Sequence, residues 1–166
     1  MSEAAPRSVA GSRATLTRLT VPSDANIRGS VFGGVILEEV DRSAYISASR
    51  HCRRNCVTAS IDRVDFLAPV HVGEALTFDS ELTYAGRTSM EISVHVRAEN
   101  PLTGDTRSVA SALVTMVAVD EGGRPLPIPP LAPATEEERA RFEAGRQRME
   151  ERRRTRGSAA AARGAN

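Results

Sequence analysis

The chain has 166 residues, enough for one domain with a sizeable core. Hydrophobic residues make up 40% and charged residues 26%, which fits a globular protein in water, and a net charge of +1 argues against a general nucleic-acid binder. No apolar run reaches the roughly 20 residues of a membrane-spanning helix, and "MSEAAPRSVAGSR" holds no apolar segment of signal-peptide length.

Residues 1–12 are expected to be a disordered leader. "RATLTRLTV", residues 13–21, alternates like a strand. "PSDANIRGSVFGG" is loop material, punctuated by Pro, Asp, Asn and Gly. A long helix follows over residues 33–50, with Leu37, Val40, Ala44 and Ala48 on one stripe and Glu38, Glu39, Arg42 and Arg50 largely opposite. Asp41 falls on the apolar side, where a carboxylate is costly unless it is paired or employed.

From residue 57 the period changes to two. "VTASIDRVDFLAPV" reads as a strand bulged near Asp62. "EALTFDSELTYAG" and "TSMEISVHVRAE" alternate cleanly, Tyr84 sharing a face with Leu76, Phe78, Ser80 and Leu82. "TRSVASALVTMVAVD" is apolar on both faces and is expected to be a central strand. "GGRPLPIPPLAP" closes the body with five prolines. A charged helix over 134–156 starts at a capping box, Thr135 with Glu138, and residues 157–166 are expected to be disordered. One helix wrapped by one antiparallel sheet, an α+β domain over 13–133, fits this order.

The glycines of "NIRGSVFGGVILEEVD" are neither a P-loop, which needs a following Lys, nor a dinucleotide fingerprint. They serve either a tight turn or a reaction. The first N–H groups of a helix lack internal partners, and Gly33 and Gly34 leave them open to a carbonyl oxygen. Asp41 is then either a satisfied structural carboxylate or a general base or nucleophile about two turns below. Asn26 is either a turn residue or a neutral amide that orients water or substrate. No His–Ser–Asp constellation competes, and His95 falls on the polar side of a strand. Cys52 and Cys56 read as two free thiols in a reducing compartment, which places the protein in the cytoplasm, and no second His/Cys cluster completes a metal set.

"PSDANIRGSVFGGVILEEVD", "RHCRRNCVTASIDRVDFLAPVHVGE", "LTYAGRTSMEISVHV" and "PLPIPPLAPATEEERARFEAGRQRM" run in order through residues 13–150. In these stretches the chain resembles the hotdog-fold acyl-CoA thioesterases, specifically the bacterial short-chain and brain cytosolic acyl-CoA hydrolase branch. The resemblance implies a hotdog fold, a dimer with joined sheets, and a hexamer built as a trimer of dimers. It implies that Asn26 of one protomer faces Asp41 of the other, and that Gly34 N–H, with Gly33 beside it, polarises the thioester carbonyl. Coenzyme A is then part of the substrate and no cofactor is needed. Gly86, Arg87, Thr88 and Ser89 are candidates for contact with its phosphates, while Tyr45, Phe66 and Met90 are expected to set the room for the acyl chain. No nucleic-acid or membrane partner is expected. The vertebrate relatives carry His before the paired glycines, where this chain has Phe32. The competing readings are a non-catalytic acyl-CoA sensor on the same fold and a dehydratase, which would need a His on the helix's apolar stripe.

Overall fold

The computed structural model describes residues 5–163, with side chains to residue 155. Five strands form one antiparallel sheet. They are β2 (Ala14–Leu19), β3 (Cys56–Phe66), β4 (Ala75–Ala85), β5 (Ser89–Glu99) and β6 (Thr106–Ala118), in the order β2-β4-β5-β6-β3. Between β2 and β3 the chain forms α1 (Gly33–Cys52), which lies against the sheet. Two short strands, β1 (Arg7–Ser8) and β7 (Leu131–Ala132), pair in parallel beside it, and α2 (Glu136–Arg163) ends the described chain.

The helix approaches the sheet closely because its contact face is small. Ser43, Ala44, Ser47 and Ala48 are buried, and Ile36 and Val40 extend that face toward the N-terminus. Leu76, Phe78, Leu82, Ile92, Val94 and Val114 from the sheet join them in one apolar core. The Ser43 and Ser80 hydroxyls, 2.9 Å apart, satisfy each other where a larger residue would force the helix off.

Several expectations need correction. Leu37 is only half-buried, and Asp41 flanks the buried face instead of lying on it. Glu39, expected outside, is buried because Arg42 Nη1 (2.7 Å) and Arg18 Nη1 (3.3 Å) hold its carboxylate. Arg18 also grips Asp24 at 2.7 Å, tying the loop before α1 to the helix. The alternation in β4 breaks at a register shift between Leu82 and Tyr84, which turns Tyr84 onto Phe142 of α2, ring centroids 5.1 Å apart. The bulge expected near Asp62 is present, between Ile61 and Arg63, with a second between Thr58 and Ser60. β6 is an interior strand flanked by β5 and β3, as its apolar faces led one to expect.

Residues 5–12, expected to be disordered, are held in place. Arg7 N–H donates to the Pro130 carbonyl at 2.9 Å, and Val9 and Ser12 are buried, the Ser12 hydroxyl accepting from Leu82 N–H at 3.0 Å. Short-range composition hid this, because the partners lie far along the chain. Residues 157–163, also expected to lack structure, continue α2 through an alanine run, alanine being the best helix former; residues 164–166 lie outside the described residues. The capping box holds, with Glu138 N–H donating to the Thr135 hydroxyl at 3.2 Å.

Candidate active site

Helix α1 begins directly after Phe32, which has extended backbone and supplies no side-chain cap. Among the described residues, the N–H groups of Gly33 and Gly34 have no hydrogen-bond partner, as expected for the first turn of a helix. The glycines also seat two aromatic rings. A Cβ at Gly33 would press on Phe66 at 3.2 Å, and one at Gly34 would run into Phe32. Phe66, Leu67 and Val70 line an apolar cleft of about 390 Å³ beside Gly33.

Seven residues after Gly34 comes Asp41, two helical turns on and on the same side of α1. Thr58, near the start of β3, donates its hydroxyl to Asp41 Oδ1 at 2.5 Å. The two share a cleft of about 440 Å³ with Leu16, Arg42, Tyr45, Ile46 and Cys56. Thr58 is the residue that sequence reading missed. Its period-two strand context gave no sign that it would meet a carboxylate 17 residues earlier in the chain.

Asn26 sits in a tight turn closed by Asn26 N–H on the Ser30 carbonyl (2.7 Å) and by Gly29 N–H on the Asn26 carbonyl (2.9 Å). Gly29 takes φ 79°, which a side chain would resist. The Asn26 side chain accepts from Arg28 N–H (2.8 Å) and donates to the Ser30 hydroxyl (2.9 Å). It shares no hydrogen bond with Asp41 within the chain. The rise of 1.5 Å per residue puts Gly34 N–H about 10 Å along the helix from Asp41. That is too far for both to act on one carbonyl, whose donors must lie near 3 Å.

Gly86, Arg87, Thr88 and Ser89 form the turn between β4 and β5. Arg87, Thr88 and Ser89 border a cavity of about 570 Å³ with Ala59, Thr115, Arg152 and Arg153. The side chains of Arg87 and Arg153 have no ion-pair partner among the described residues. Arg152 is bound to Asp62 at 2.8 Å. Ala59 follows Thr58 directly, so this cationic cavity and the Asp41 cleft lie on opposite sides of one strand. Tyr45 lines the Asp41 cleft and Phe66 the apolar one, but Met90 is wholly buried in the core and borders neither, a correction forced by its inward register on β5.

Residues 28–104 match the profile of the thioesterase superfamily. An uncharacterized acyl-CoA thioester hydrolase of Bacillus subtilis is 42% identical over 127 residues, 76% of this chain and 74% of that protein. The chain belongs to the thioesterase superfamily. The cytosolic acyl coenzyme A thioester hydrolase of Rattus norvegicus is 40% identical over 86% of this chain, which spans 38% of that protein. Among solved structures, an apo-hexameric acyl-CoA thioesterase superposes with TM-score 0.86 at 42% identity, covering 92% of this chain and 97% of that one. The acyl-CoA hydrolase of Staphylococcus aureus, in complex with butyryl coenzyme A, coenzyme A and coenzyme A disulfide, gives TM-score 0.84 at 31% identity, over 94% and 95% of the two chains. Structures of that enzyme also exist with one asparagine, one aspartate or one threonine replaced by alanine. The spacing of those three positions equals that of Asn26, Asp41 and Thr58. The long helix against a five-stranded antiparallel sheet is the hotdog fold of these relatives.

Proposed function

We propose that this thioesterase-superfamily chain hydrolyses acyl-CoA to a free carboxylic acid and coenzyme A. The observation that carries the reading is the Asp41–Thr58 pair in an open cleft, with Asp41 on the helix whose first N–H groups are free. Thr58 holds the Asp41 carboxylate, and its second oxygen faces a water. The water oxygen attacks the thioester carbon as its proton passes to Asp41. Negative charge gathers on the former carbonyl oxygen, where Gly34 N–H, at the positive end of the helix dipole, stabilises it. The intermediate collapses, the C–S bond breaks, and the coenzyme A thiolate takes a proton from Asp41. In the alternative chemistry Asp41 attacks the carbon itself and water resolves the mixed anhydride.

The separation of about 10 Å between Gly34 and Asp41 assigns these two jobs to different copies of the chain. We therefore place Asp41 and Thr58 of one protomer opposite Asn26, Gly33 and Gly34 of another. β3 is an eleven-residue sheet edge with Val57, Ile61 and Phe66 exposed, a surface suited to joining two sheets. One relative of solved structure is hexameric, and for this chain a hexamer built from such dimers is the expected assembly. Arg87, Thr88 and Ser89, with Arg153 from α2, are placed to meet the coenzyme's phosphates across β3 from the cleft.

Neither a metal nor a cofactor enters this scheme. Among the described residues no helix is long and apolar enough to cross a membrane; together with the two free thiols we assign the protein to the cytoplasm. Release of free thiol from acyl-CoA substrates of increasing chain length, measured with and without a chelator, tests the reading. Thiol release that survives chelation and travels with an assembly heavier than 17.8 kDa is expected. Binding of acyl-CoA with no release would transfer the site to a sensor, and an active single chain would end the two-protomer arrangement.

A further inference from the structure

Two thiols that take no part in the hydrolysis scheme lie in contact at the junction of α1 and β3. Cys52 is the last residue of the helix and Cys56 the first of the strand, and their sulfurs are 3.4 Å apart. Both are free and buried among apolar neighbours. Arg53 between them adopts the left-handed conformation, φ 56°, which folds the chain back and sets the two side chains next to each other. Cys56 also lines the cleft of Asp41 and Thr58, Thr58 lies two residues along the same strand, and Asp41 lies three turns back on the same helix.

We propose that Cys52 and Cys56 are a reversible dithiol–disulfide pair that slows turnover at the Asp41–Thr58 cleft when oxidised. The second half of this statement rests on that cleft being the catalytic one.

The chemistry fits the pair. The Cys56 thiol hydrogen-bonds to the Cys52 sulfur, which brings the Cys52 thiol down to about 7 and pushes Cys56 up. One sulfur is therefore thiolate in substantial part near neutral pH while its neighbour keeps its proton, the division of labour of an attacking and a resolving thiol. The oxidant is hydrogen peroxide, small enough to enter by a cleft that one of the cysteines lines. The Cys52 thiolate attacks one peroxide oxygen, the O–O bond breaks, hydroxide leaves, and Cys52 becomes a sulfenic acid. The Cys56 sulfur then attacks the Cys52 sulfur, the S–O bond breaks and water leaves with the Cys56 proton. Overall two thiols and one peroxide give one disulfide and two waters.

The structural consequence follows from length. A disulfide is about 2.05 Å long, so the sulfurs must close by more than 1 Å. That pull acts on the two chain ends that flank the Asp41–Thr58 hydrogen bond. The register shift between Thr58 and Ser60 has already broken the regular pairing of β3 with β6 just beyond Thr58. Cys56, Val57 and Thr58 pair in unbroken register with Ala118, Val117 and Met116, so a pull on Cys56 is carried to Thr58, and the shift beyond Thr58 loosens that segment from the rest of β3. Misplacement of a catalytic group by about 1 Å can cost as much as 10²-fold in rate.

The experiment treats the full-length protein with graded hydrogen peroxide, quenches with catalase, and reads two quantities. Intact mass and thiol titration after denaturation report the bond, independently of activity. Thiol release from acyl-CoA, followed by a readout that does not consume protein thiols, reports turnover. The expected result is loss of two hydrogens and both titratable thiols, with kcat down at least about tenfold, and full return of both on reduction. Cys52→Ser should keep its starting turnover and lose the response, with Cys52→Ala as the second variant should serine disturb folding. Met116 provides the control, because its sulfur lies 3.4 Å from the Thr58 hydroxyl and its oxidation would also slow the enzyme. Equal peroxide sensitivity in Cys52→Ser would overturn the proposal, as would a peroxide-treated protein that retains both thiols. A disulfide that leaves kcat unchanged overturns the regulatory role. A protein that forms the bond but never hydrolysed acyl-CoA refutes the hydrolase reading instead.

Discussion

Under the proposed mechanism, replacing Asp41 by Asn removes the proton acceptor while leaving nearly everything else in place. The side chain is half-exposed at the rim of the core, and its hydrogen bond comes from Thr58. An asparagine oxygen still accepts that bond, so the stability cost is confined to the difference between a charge-assisted and a neutral hydrogen bond, about 1 kcal/mol. In a chain of this size that shifts Tm by roughly 2–4 °C. The chemical cost is of another order. A positioned base is worth about 10²–10⁴-fold, which is about 3–5 kcal/mol of transition-state stabilisation. Affinity for coenzyme A should hold, because the loss lies in the transition state and not in binding. The assay measures Tm, assembly mass, coenzyme A affinity and turnover on one preparation of Asp41→Asn. Normal turnover per assembled site, or a collapse of the assembly with normal specific turnover in what remains, would refute the catalytic assignment and return Asp41 to a structural role.

Arg87→Ala and Arg153→Ala should each weaken coenzyme A binding by about 1.5–3 kcal/mol, the worth of a charged hydrogen bond, without a matching fall in Tm; unchanged affinity by titration calorimetry removes the phosphate assignment. Arg148→Ala should cost about 2–3 kcal/mol, because it strips the closer ion pair (2.7 Å) from the fully buried Glu91 and leaves it the Thr83 hydroxyl at 2.7 Å and Arg152 at 3.8 Å. That figure lies below the 3–5 kcal/mol of a fully enclosed pair since Arg148 itself reaches solvent, and chemical denaturation measures it. Burial holds His51 below its ordinary value of 6.5, with its Nε2 bonded to the Pro129 carbonyl at 2.8 Å. The unfolded chain takes up that proton first as pH falls, so stability is full above pH 6.5 and drops below it, down to the folded-state value. His51→Gln should flatten that part of the Tm–pH curve, and an unaltered slope would assign it to another group.

The sequence alone determined the elements whose signal is local. Period-two alternation marked β4 and β5, the 3.6-residue stripe marked α1, and the Thr135–Glu138 box marked the start of α2, because each depends on neighbours within a turn or a strand. It also singled out Asp41 and the paired glycines, since a charge beside an apolar stripe and two glycines at a helix start are anomalies readable in place. Tertiary structure decided what those anomalies touch. Thr58 reaches Asp41 because β3 returns antiparallel to β6, alongside α1, and no period within β3 encodes that contact. Glu39 is buried on α1 with Arg18 reaching it from β2, a partner from another element that joins the local one from Arg42. Residues 5–12 were ordered by a parallel pairing of Arg7 and Ser8 with residues more than a hundred positions away, while residues 1–4 lie outside the described residues. Tyr84 left its expected face at a bulge that α2 rewards with the ring of Phe142. Each of these is a contact between segments distant in the chain, whose free energy exists only after the loop between them has closed, and so no window of sequence contains it.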